Sequence, residues 1–411
     1  MRILMENVNG NPWRHVAGED TSGQNLFVRE IAEHLAARGQ QVDVATRVAS
    51  VHESPILQVG QNLRLLQVPA GPSAYLHRDT VPEVLAAYVA ALSALLNEQR
   101  LHYDIVHGNY WPSAAVACRL REVGYADALI YTPHSIGRLK AMTVGIENPY
   151  RDRIESEIFE HADAIHAISE DDAAAIRTLY EPSGELRRIP HGVNHAVFSY
   201  LSKAEARERL GWAPKARILL FVGRFEPQKN LPAALRAYDV LADGNGGQKR
   251  EVQMVVCGGP APHALLPCEL PEPAQTAVRS LRHPEKVRFI GRIRNGELRY
   301  YYAAADVLLA WSNYEPFGLV AAECVSCGTP VAATRVGGLR ETIADGVDGL
   351  LGPVGDEDAL KRCVETLLAD SWQDERNRQT IARRAERLSW DSAASALEDL
   401  YGEVHKQVNL A

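Results

Sequence analysis

The amino-acid sequence predicts an α/β protein built from two doubly wound domains. Short apolar runs typical of buried strands alternate with longer amphipathic runs along the whole chain, and this pattern predicts parallel sheets covered by helices on both faces. The pattern begins again near residue 217, after a polar stretch at 199–216 that contains Gly211 and Pro214. A chain of 411 residues also has the length that two domains need.

The first half of the chain begins with a predicted strand within Met1–Asn7, whose apolar run is too short for a signal peptide. Helices are predicted over Gln24–Arg38 and Val81–Asn97, where apolar residues recur at helical spacing. Further strands are predicted at Val42–Thr46, Ile105–His107, Ala128–Tyr131 and Ala164–Ile168.

In the second half, strands are predicted at Arg217–Gly223, Val252–Gly258, Val287–Gly291 and Val307–Ala310. The joint between the domains is placed within residues 192–200, which divides the chain into domains 1–195 and 196–389. In doubly wound sheets ligands bind beyond the carboxyl ends of the strands, so functional residues are expected in the loops that follow strands. Two such domains in tandem also predict a cleft.

The composition excludes several classes of function. A net charge of −8 argues against a nucleic-acid partner and against binding to an anionic membrane, since both require clustered positive charge. No uninterrupted run of 18 apolar residues occurs, so no membrane insertion is expected and a cytoplasmic location is predicted. The six cysteines are scattered, and the lone Cys324-x-x-Cys327 is expected to be two buried helix residues rather than a metal or redox site.

The most informative motif of the second half is the run 315–323, EPFGLVAAE. Pro316 and Gly318 predict a tight turn that opens a helix. Glu323 then lies about two turns along this helix, where a carboxylate can accept hydrogen bonds from vicinal hydroxyls such as those of a ribose. The amides at the helix start would be available to hydroxyls or an anion, namely those of Phe317, Gly318 and Leu319. Taken alone, two surface glutamates are an equally good interpretation of Glu315 and Glu323.

Two further loops follow predicted strands. Arg224 and Lys229, within GRFEPQKN at 223–230, are two cations beside a strand end and suit a diphosphate. Gly337-Gly338 would let the backbone approach a ligand or another helix. The chain has neither a P-loop nor a G-x-G-x-x-G fingerprint at these loops, which disfavours a nucleotide hydrolase or a dehydrogenase.

In this order along the chain, the motifs resemble the family 4 retaining glycosyltransferases. This family includes sucrose-phosphate synthases and inositol-phosphate N-acetylglucosaminyltransferases. In the first half, Asp20–Asn25 resembles the family's Gly-Gly-(Gln/Met) loop, with Ser22 in place of the first glycine, and Thr132–Gly137 resembles its His-(Ser/Thr) loop. The runs that carry the resemblance in the rest of the chain are Pro190–Asn194, Val222–Arg224 with Lys229-Asn230, Glu315–Glu323 and Val336–Gly338.

The resemblance implies the GT-B fold, with two Rossmann-like domains facing across a cleft and a last helix, about Asp391–Val404, that crosses back to the first domain. Residues 390–411 would then belong with 1–195, which would bind the acceptor, while 196–389 would bind the nucleotide-sugar donor. UDP is the expected nucleotide and GDP the alternative. A homodimer is left open as an alternative to a monomer.

The resemblance also assigns roles at the donor. Arg224 and Lys229 would hold the diphosphate and neutralise the leaving group, and Glu323 would bind the ribose. Glu315 would hold the hydroxyls of the transferred sugar, and His134 would reach that sugar from the first domain. Further donor contacts are expected at Gly23, Arg292, Ile293, Phe317, Gly318 and Leu319. No Asp-x-Asp is placed like a metal motif, so neither a metal nor another cofactor is expected, and retention is expected through front-side attack.

For the acceptor, the resemblance predicts a phosphate or another compact anion. Arg78 occupies the position of a lysine in the inositol-phosphate enzymes, and Tyr110 and Ser135 match an aromatic residue and a hydroxyl residue there. Arg153 or Arg151 would complete the pocket, and Asn25 would meet acceptor hydroxyls. A neutral polyol or a carboxylate-bearing acceptor stays open, as do two other classes of protein, a nucleotide-sugar epimerase and a sugar-binding protein.

Overall fold

The computed structural model describes residues 1–13, 23–48, 54–72, 76, 80–242, 251–259 and 261–410. The chain divides into two compact units, one made of Met1–His191 with Trp390–Ala411 and the other of Gly192–Ser389. The division falls a few residues before the joint that the sequence analysis placed after residue 195. Each strand-like run named above forms a strand.

Unit 1 contains an eight-stranded sheet in the order β3-β4-β2-β1-β5-β6-β7-β8. All neighbouring strands are parallel except β3 and β4, which are antiparallel. The strands are β1 (Arg2–Glu6), β2 (Gln41–Val48), β3 (Ile56–Gly60), β4 (Leu63–Pro69), β5 (Tyr103–Asn109), β6 (Ala126–Thr132), β7 (Ala164–Ala167) and β8 (Glu185–Arg188). The helices before residue 192 are α1 (Gly23–Ala37), α2 (Leu85–Glu98), α3 (Trp111–Glu122), α4 (Gly137–Val144), α5 (Pro149–His161) and α6 (Glu170–Tyr180).

Unit 2 contains a six-stranded parallel sheet in the order β11-β10-β9-β12-β13-β14. Its strands are β9 (Arg217–Gly223), β10 (Val252–Gly258), β11 (Val287–Gly291), β12 (Val307–Ala310), β13 (Val331–Thr334) and β14 (Gly349–Gly352). Its helices are α7 (Lys203–Leu210), α8 (Leu231–Ala242), α9 (Ala274–Arg279), α10 (Asn295–Ala304), α11 (Leu319–Ser326), α12 (Leu339–Thr342), α13 (Glu357–Leu367), α14 (Asp370–Gln373) and α15 (Glu375–Ala385).

The last helix, α16 (Trp390–Leu410), belongs to unit 1 although it follows unit 2 in the chain. It packs against α1, and Arg38, just after the end of α1, donates from its guanidinium to Glu398 Oε2 (2.6 Å) and to Ser395 Oγ (2.8 Å). On its inner face Leu397 and Tyr401 are fully buried. The return of the last helix to the first domain, which the family resemblance implied, is therefore present.

The apolar strand runs are buried because helices cover both faces of each sheet. In unit 1, Leu4, Val106 and Leu129 are fully buried, and the helix α2 packs on them with Tyr88 and Leu92. The 18-residue segment Val81–Glu98, with a mean hydropathy of 1.3, meets the length and composition of a membrane span, although 28% of it is buried. Since its buried side chains join the core of unit 1, this is weak evidence for a span.

The strand orders create one topological switch point in each sheet. In unit 2 the order corresponds to 3-2-1-4-5-6, so the chain leaves β9 and β12 toward opposite sides. In unit 1 the switch point lies between the neighbouring strands β1 and β5. Ligands of open α/β sheets bind at such points, beyond the carboxyl ends of the strands. The loops after β1, β5, β9 and β12 are therefore the first places in which to seek a site.

Candidate active site

In unit 2, two loops that follow neighbouring strands are tied together. The loop after β9 includes a short 3-10 turn at Pro227–Lys229, and the loop after β12 carries Asn313. The amide of Asn313 donates to Gln228 O (2.8 Å), and its side-chain nitrogen donates to Pro227 O (3.2 Å). These bonds fix the predicted diphosphate loop against the loop that leads to Glu315.

The structure brings Lys229 and Glu315 into direct contact. The Lys229 ammonium donates to Glu315 Oε2, and Ser312 Oγ lies 3.4 Å from the same oxygen. Both charged side chains stay partly accessible, with 18% and 14% of their surfaces exposed. Arg224, on the same loop as Lys229, pairs with Glu226 at 2.8 Å. The two predicted cations and one predicted carboxylate thus share the switch point of unit 2.

The Gly337-Gly338 pair explains how the Glu315 turn is held. A Cβ on Gly338 would lie 2.3 Å from Phe317 Cα, and one on Gly337 would lie 2.0 Å from Glu315 O. The amide of Gly338 instead donates to Glu315 O (3.0 Å), and Thr342 Oγ1 donates to Phe317 O (2.9 Å). The backbone that the two glycines approach is therefore the 315–317 turn.

The turn ends in the N-terminus of α11. Gly318 caps this helix with φ +92°, a left-handed conformation that suits glycine. The Phe317 side chain is buried, which anchors the turn, and the first amides of α11 have no partner within the helix because they precede its first hydrogen bond. Phe317, Gly318 and Leu319 thus present a helix N-terminus next to Glu315, an arrangement that suits hydroxyls or an anion.

Glu323 lies in the buried part of α11 and accepts a hydrogen bond from Tyr302 Oη at 2.8 Å. Burial raises the pKa of Glu323 to about 7, even though the bond from Tyr302 lowers it. The carboxyl group therefore titrates near neutral pH. On the same helix Cys324 is fully buried, as expected, and Cys327, which was expected on the helix, is fully buried just after its end.

Arg292 and Ile293 lie in the loop between β11 and α10 and are half-buried. Gly291, with φ +82°, precedes them, and a Cβ there would lie 2.1 Å from His263 O. The amide of Arg292 donates to Ala261 O (2.8 Å), so this loop packs on the loop after β10.

In unit 1, asparagine and glutamine side chains form a network at the switch point. Asn7 follows β1 and donates to Gly10 O (2.6 Å) and to Asn25 Oδ1 (2.8 Å). Gln24 donates to Asn7 Oδ1 (2.6 Å) and to Asn109 O at the end of β5 (2.9 Å). Asn25 is thereby held at the edge of the network by α1. Gly23 is the exposed first residue of that helix, and Ser22 lies outside the described residues.

His134 follows β6 and adopts φ +55°, which is uncommon for a residue other than glycine. Asn109 Nδ2 donates to His107 O (3.2 Å), which leaves Asn109 Oδ1 to accept a hydrogen bond from His134 Nε2 (3.1 Å). His134 Nδ1 is then the unprotonated nitrogen. Burial, followed by the neighbouring His191 and His166, lowers the pKa of His134 well below its usual range, so the ring is neutral at pH 7.

A chain of hydrogen bonds underlies the His134 loop. His166 Nε2 lies 2.6 Å from Ile189 O, which can only accept, so His166 Nδ1 must accept from Thr132 Oγ1 (2.9 Å). Thr132 in turn accepts from His107 Nε2 (2.6 Å), and His107 Nδ1 accepts from Tyr401 Oη on α16 (2.6 Å). One backbone carbonyl thereby sets the tautomer of both histidines, and Thr132 is bound from two sides just before Pro133-His134.

The predicted acceptor residues Tyr110 and Ser135 meet at Arg151. Its guanidinium donates to Tyr110 Oη (3.2 Å), to Ser135 O (2.6 Å) and to Ser135 Oγ (3.2 Å), and it pairs with the buried Glu155 at 2.8 Å. Arg151 Nε is buried and has no hydrogen-bond partner in the part of the chain described. Tyr110 has φ +70°, a strained conformation of the kind that clusters at functional sites.

Arg153 does not join this group. It is exposed and lies over the Tyr150 ring, 5.6 Å from its centroid, because residues 151 and 153 fall on different faces of α5. Arg78 lies outside the described residues. Of the two arginines that the sequence analysis named for α5, the structure places Arg151 with Tyr110 and Ser135.

Comparison with known proteins shows the family of this chain. Residues 22–192 match the family model described as Glycosyl transferase 4-like domain, and residues 202–387 match Glycosyl transferases group 1. A D-inositol 3-phosphate glycosyltransferase from Actinosynnema mirum is 31% identical over 98% of this chain and 97% of its own length. The chain belongs to the family 4 glycosyltransferases.

Solved structures show the same fold for this glycosyltransferase. A sucrose-phosphate synthase from Thermosynechococcus elongatus superimposes with a TM-score of 0.84 at 29% identity, over 99% of both chains. The Anabaena protein HepE, in complex with UDP-glucose, gives a TM-score of 0.72 at 19% identity over 98% of this chain and all of its own. At that identity the likeness to HepE concerns the fold alone, which is GT-B.

Several residues of the glycosyltransferase that complete these groups were missed by sequence reasoning. Asn7 and Asn109 each stand at the end of a strand at the switch point, a signal that could have found them. Three other residues could not be found from the sequence, because their contacts with the predicted site residues exist only in the folded protein. Tyr302 contacts Glu323, Ser312 contacts Glu315, and Asn313 contacts Pro227.

Proposed function

We propose that this glycosyltransferase moves a sugar, with retention of anomeric configuration, from a nucleoside-diphosphate sugar to a small phosphorylated acceptor. The observation that carries the proposal is the group of Arg151, Tyr110 and Ser135 at the carboxyl ends of the unit 1 strands. A guanidinium that adjoins a phenol and a hydroxyl suits a phosphate ester. The relative from Actinosynnema mirum, named for D-inositol 3-phosphate, supports this choice.

The donor is proposed to bind unit 2. Arg224 and Lys229 would take the diphosphate, and the charge that develops on the leaving group would be stabilised by these fixed cations and by the α11 amides. Because Lys229 already pairs with Glu315, a bound diphosphate would compete for the same ammonium. Glu323 would bind the ribose, and Arg292 and Ile293 would adjoin the base, with UDP expected and GDP as the alternative.

His134 is proposed to contact the transferred sugar as a neutral imidazole. Its Nε2 proton is used by Asn109, so the free Nδ1 can accept a hydrogen bond from a sugar hydroxyl. A neutral ring adds no positive charge at the reacting carbon, where positive charge develops in glycosyl transfer. Retention would follow from front-side attack, with a diphosphate oxygen taking the acceptor's proton.

Asn25 would bind hydroxyls of the acceptor from the network that Asn7 and Gln24 build. Since two cations and a helix N-terminus can neutralise the diphosphate, we propose that transfer needs no metal. Activity that survives EDTA would support this point, and activity restored only by Mg²⁺ or Mn²⁺ would contradict it. A cytoplasmic location is proposed because nucleotide sugars are supplied there.

The test compares inositol phosphate with inositol as acceptors for wild type, Tyr110→Phe and Arg151→Lys. Both substitutions keep most of the local packing, yet each removes part of the proposed phosphate set. We expect transfer to the phosphorylated acceptor alone, with KM raised about tenfold or more in both variants, as loss of a charge-assisted hydrogen bond predicts. Arg153→Lys is the matched control from the same helix and should leave KM unchanged. Equal use of both acceptors, or an effect of the control alone, would refute the phosphate pocket.

A further inference from the structure

A second group of ligand-type side chains lies at the opposite edge of the unit 1 sheet, at the amino ends of its strands. The parallel register of β5 and β6 pairs Tyr103 with Ala126 and Ile105 with Ala128. Asp104 and Asp127 therefore occupy neighbouring positions on adjacent strands and share one face of the sheet. Two carboxylates so placed repel each other, since like charges on paired strands are destabilising.

Imidazoles accompany the two carboxylates. Three possible ligand atoms lie within 4.8 Å of one another. They are a ring nitrogen of His405 on α16, one carboxylate oxygen of Asp104 and one of Asp127. His102 Nε2 lies 3.3 Å from Asp127 Oδ1. All three members of the group are half-buried, and they come from two strands and the last helix.

No lysine or arginine neutralises this pair within the described part of the chain. Asp104 Oδ2 accepts a hydrogen bond from the backbone amide of Arg2 (2.7 Å), which leaves Oδ1 for another partner. Among the described residues, Asp127 forms an ion pair with His102 alone. In the described ranges, imidazoles are therefore the side chains that accompany the two carboxylates, and both kinds of group are metal ligands.

We propose that Asp104, Asp127 and His405 bind a divalent transition-metal ion of the Zn²⁺ type, and that the ion ties α16 to β5 and β6. Mixed imidazole and carboxylate ligands suit Zn²⁺, Co²⁺ or Ni²⁺, whereas Mg²⁺ and Ca²⁺ prefer oxygen alone. Ligands of a tetrahedral zinc ion lie about 3.3 Å apart, so the three ligand atoms, which lie within 4.8 Å of one another, would move closer by at most about 1.5 Å when an ion binds. Water or His102 would supply the fourth ligand.

Such a site would stabilise unit 1 rather than take part in transfer. A metal that binds only the native state adds to its stability in proportion to the logarithm of its concentration over Kd. The group lies at the amino ends of the strands, whereas Asn109, Tyr110 and His134 follow their carboxyl ends. Metal binding should therefore raise the Tm of the full-length protein without changing the rate of transfer per folded molecule.

The experiment titrates metal-free protein at pH 7.5 with Zn²⁺ by calorimetry and with Co²⁺ by visible absorption, and follows Tm. We expect one saturable site per chain and a Tm rise of about 5 °C or more at saturation. Both effects should be lost in Asp127→Asn and His405→Gln. They should persist in His161→Gln, a control that removes an exposed imidazole of the same unit outside the group.

Two outcomes would each overturn the metal site. One is an absence of saturable binding in the wild type, and the other is binding that survives in both Asp127→Asn and His405→Gln. The Co²⁺ spectrum of the wild type decides the matter even if a variant fails to fold.

Discussion

At the scale of single residues, the two carboxylates of unit 2 have different surroundings, which match the different roles proposed for them. Glu315 shares its Oε2 between Lys229 and Ser312, whereas Glu323 is buried and bound to Tyr302. A group that contacts the reacting sugar affects kcat, while one that contacts the ribose acts alike on ground and transition states. The two side chains should therefore respond differently to removal.

We expect Glu315→Ala to lower kcat by about a hundredfold or more, as loss of an interaction at the reacting centre does. Binding of the nucleoside diphosphate should be unchanged or tighter, because the variant releases Lys229. Glu323→Ala should weaken that binding about tenfold, in line with a lost charge-assisted hydrogen bond. Calorimetry with UDP and GDP, together with steady-state kinetics, measures both effects. Equal weakening of nucleotide binding by the two substitutions would contradict these roles.

At the scale of elements, the close approach between the Gly337-Gly338 loop and the 315–317 turn makes two loops depend on each other. Because a Cβ on Gly338 would lie 2.3 Å from Phe317 Cα, the Gly338→Ala variant must displace one backbone segment. We expect a loss of about 1–3 kcal/mol of stability, typical of overpacking, together with a fall in kcat as Glu315 moves.

The control for this prediction is Gly296→Ala in α10, where an added Cβ meets no atom within 4 Å. Alanine favours helix over glycine, so this variant should be neutral or slightly more stable. Thermal unfolding and kcat of both variants provide the comparison. Wild-type kcat in a folded Gly338→Ala protein would show that the turn adapts without moving Glu315.

Part of the arrangement of elements and site residues could be predicted from the sequence. The strand ends, the helix opening at Gly318 and the loop positions of His134, Arg224 and Lys229 follow from local patterns and from the family resemblance. The choice between Arg151 and Arg153 does not, because it depends on the phase of α5, and both arginines precede the apolar residues that would set it. Arg151, Glu155 and Phe159 turn inward at helical spacing, which leaves Arg153 outside.

Long-range contacts were also beyond the sequence. Asn7 meets Asn25, and Tyr401 meets His107, only because the sheet brings their elements together. The sequence shows that each of these side chains needs a hydrogen-bond partner, but it does not show which residue the partner is. Residues that complete a site through such contacts will generally be found only in the fold.

At the scale of the whole molecule, unit 1 buries ionisable groups whose pKa shifts oppose each other. Four histidines surround Phe27, and burial is the main cause that lowers the pKa of each; for His166 the pKa falls to about 4. The four are His107, His134, His166 and His191. Glu6, at the end of β1, is fully buried near Tyr88, and burial raises its pKa to about 8.

The signs of these two effects fix where unit 1 is most stable. In the unfolded chain the histidines have a pKa of about 6.5, so below this pH they bind protons, whereas the buried histidines of the folded state do not. The free energy of unfolding therefore falls as the pH falls below 6.5, by up to about 1.4 kcal/mol per pH unit for each histidine. Glu6 binds its proton more tightly when folded, so its contribution is full below about pH 4.5 and is lost as pH rises to about 8. Stability should therefore peak near pH 6.5.

Urea unfolding between pH 5 and 8.5, followed by tryptophan fluorescence, measures this profile. In the Glu6→Gln variant, the stability of unit 1 should no longer decline above pH 6.5. The reason is that a neutral amide replaces a carboxyl group that ionises in this pH range when the chain unfolds. The decline below pH 6.5 should stay, since the histidines are unchanged. Thr132→Val breaks the bonds to His107 and His166 and should lower stability by about 1–3 kcal/mol at neutral pH. A unit 1 transition that becomes steadily more stable from pH 6.5 to pH 5 would show that the four histidines accept protons in the folded state, and the neutral imidazole proposed for His134 would fall with it.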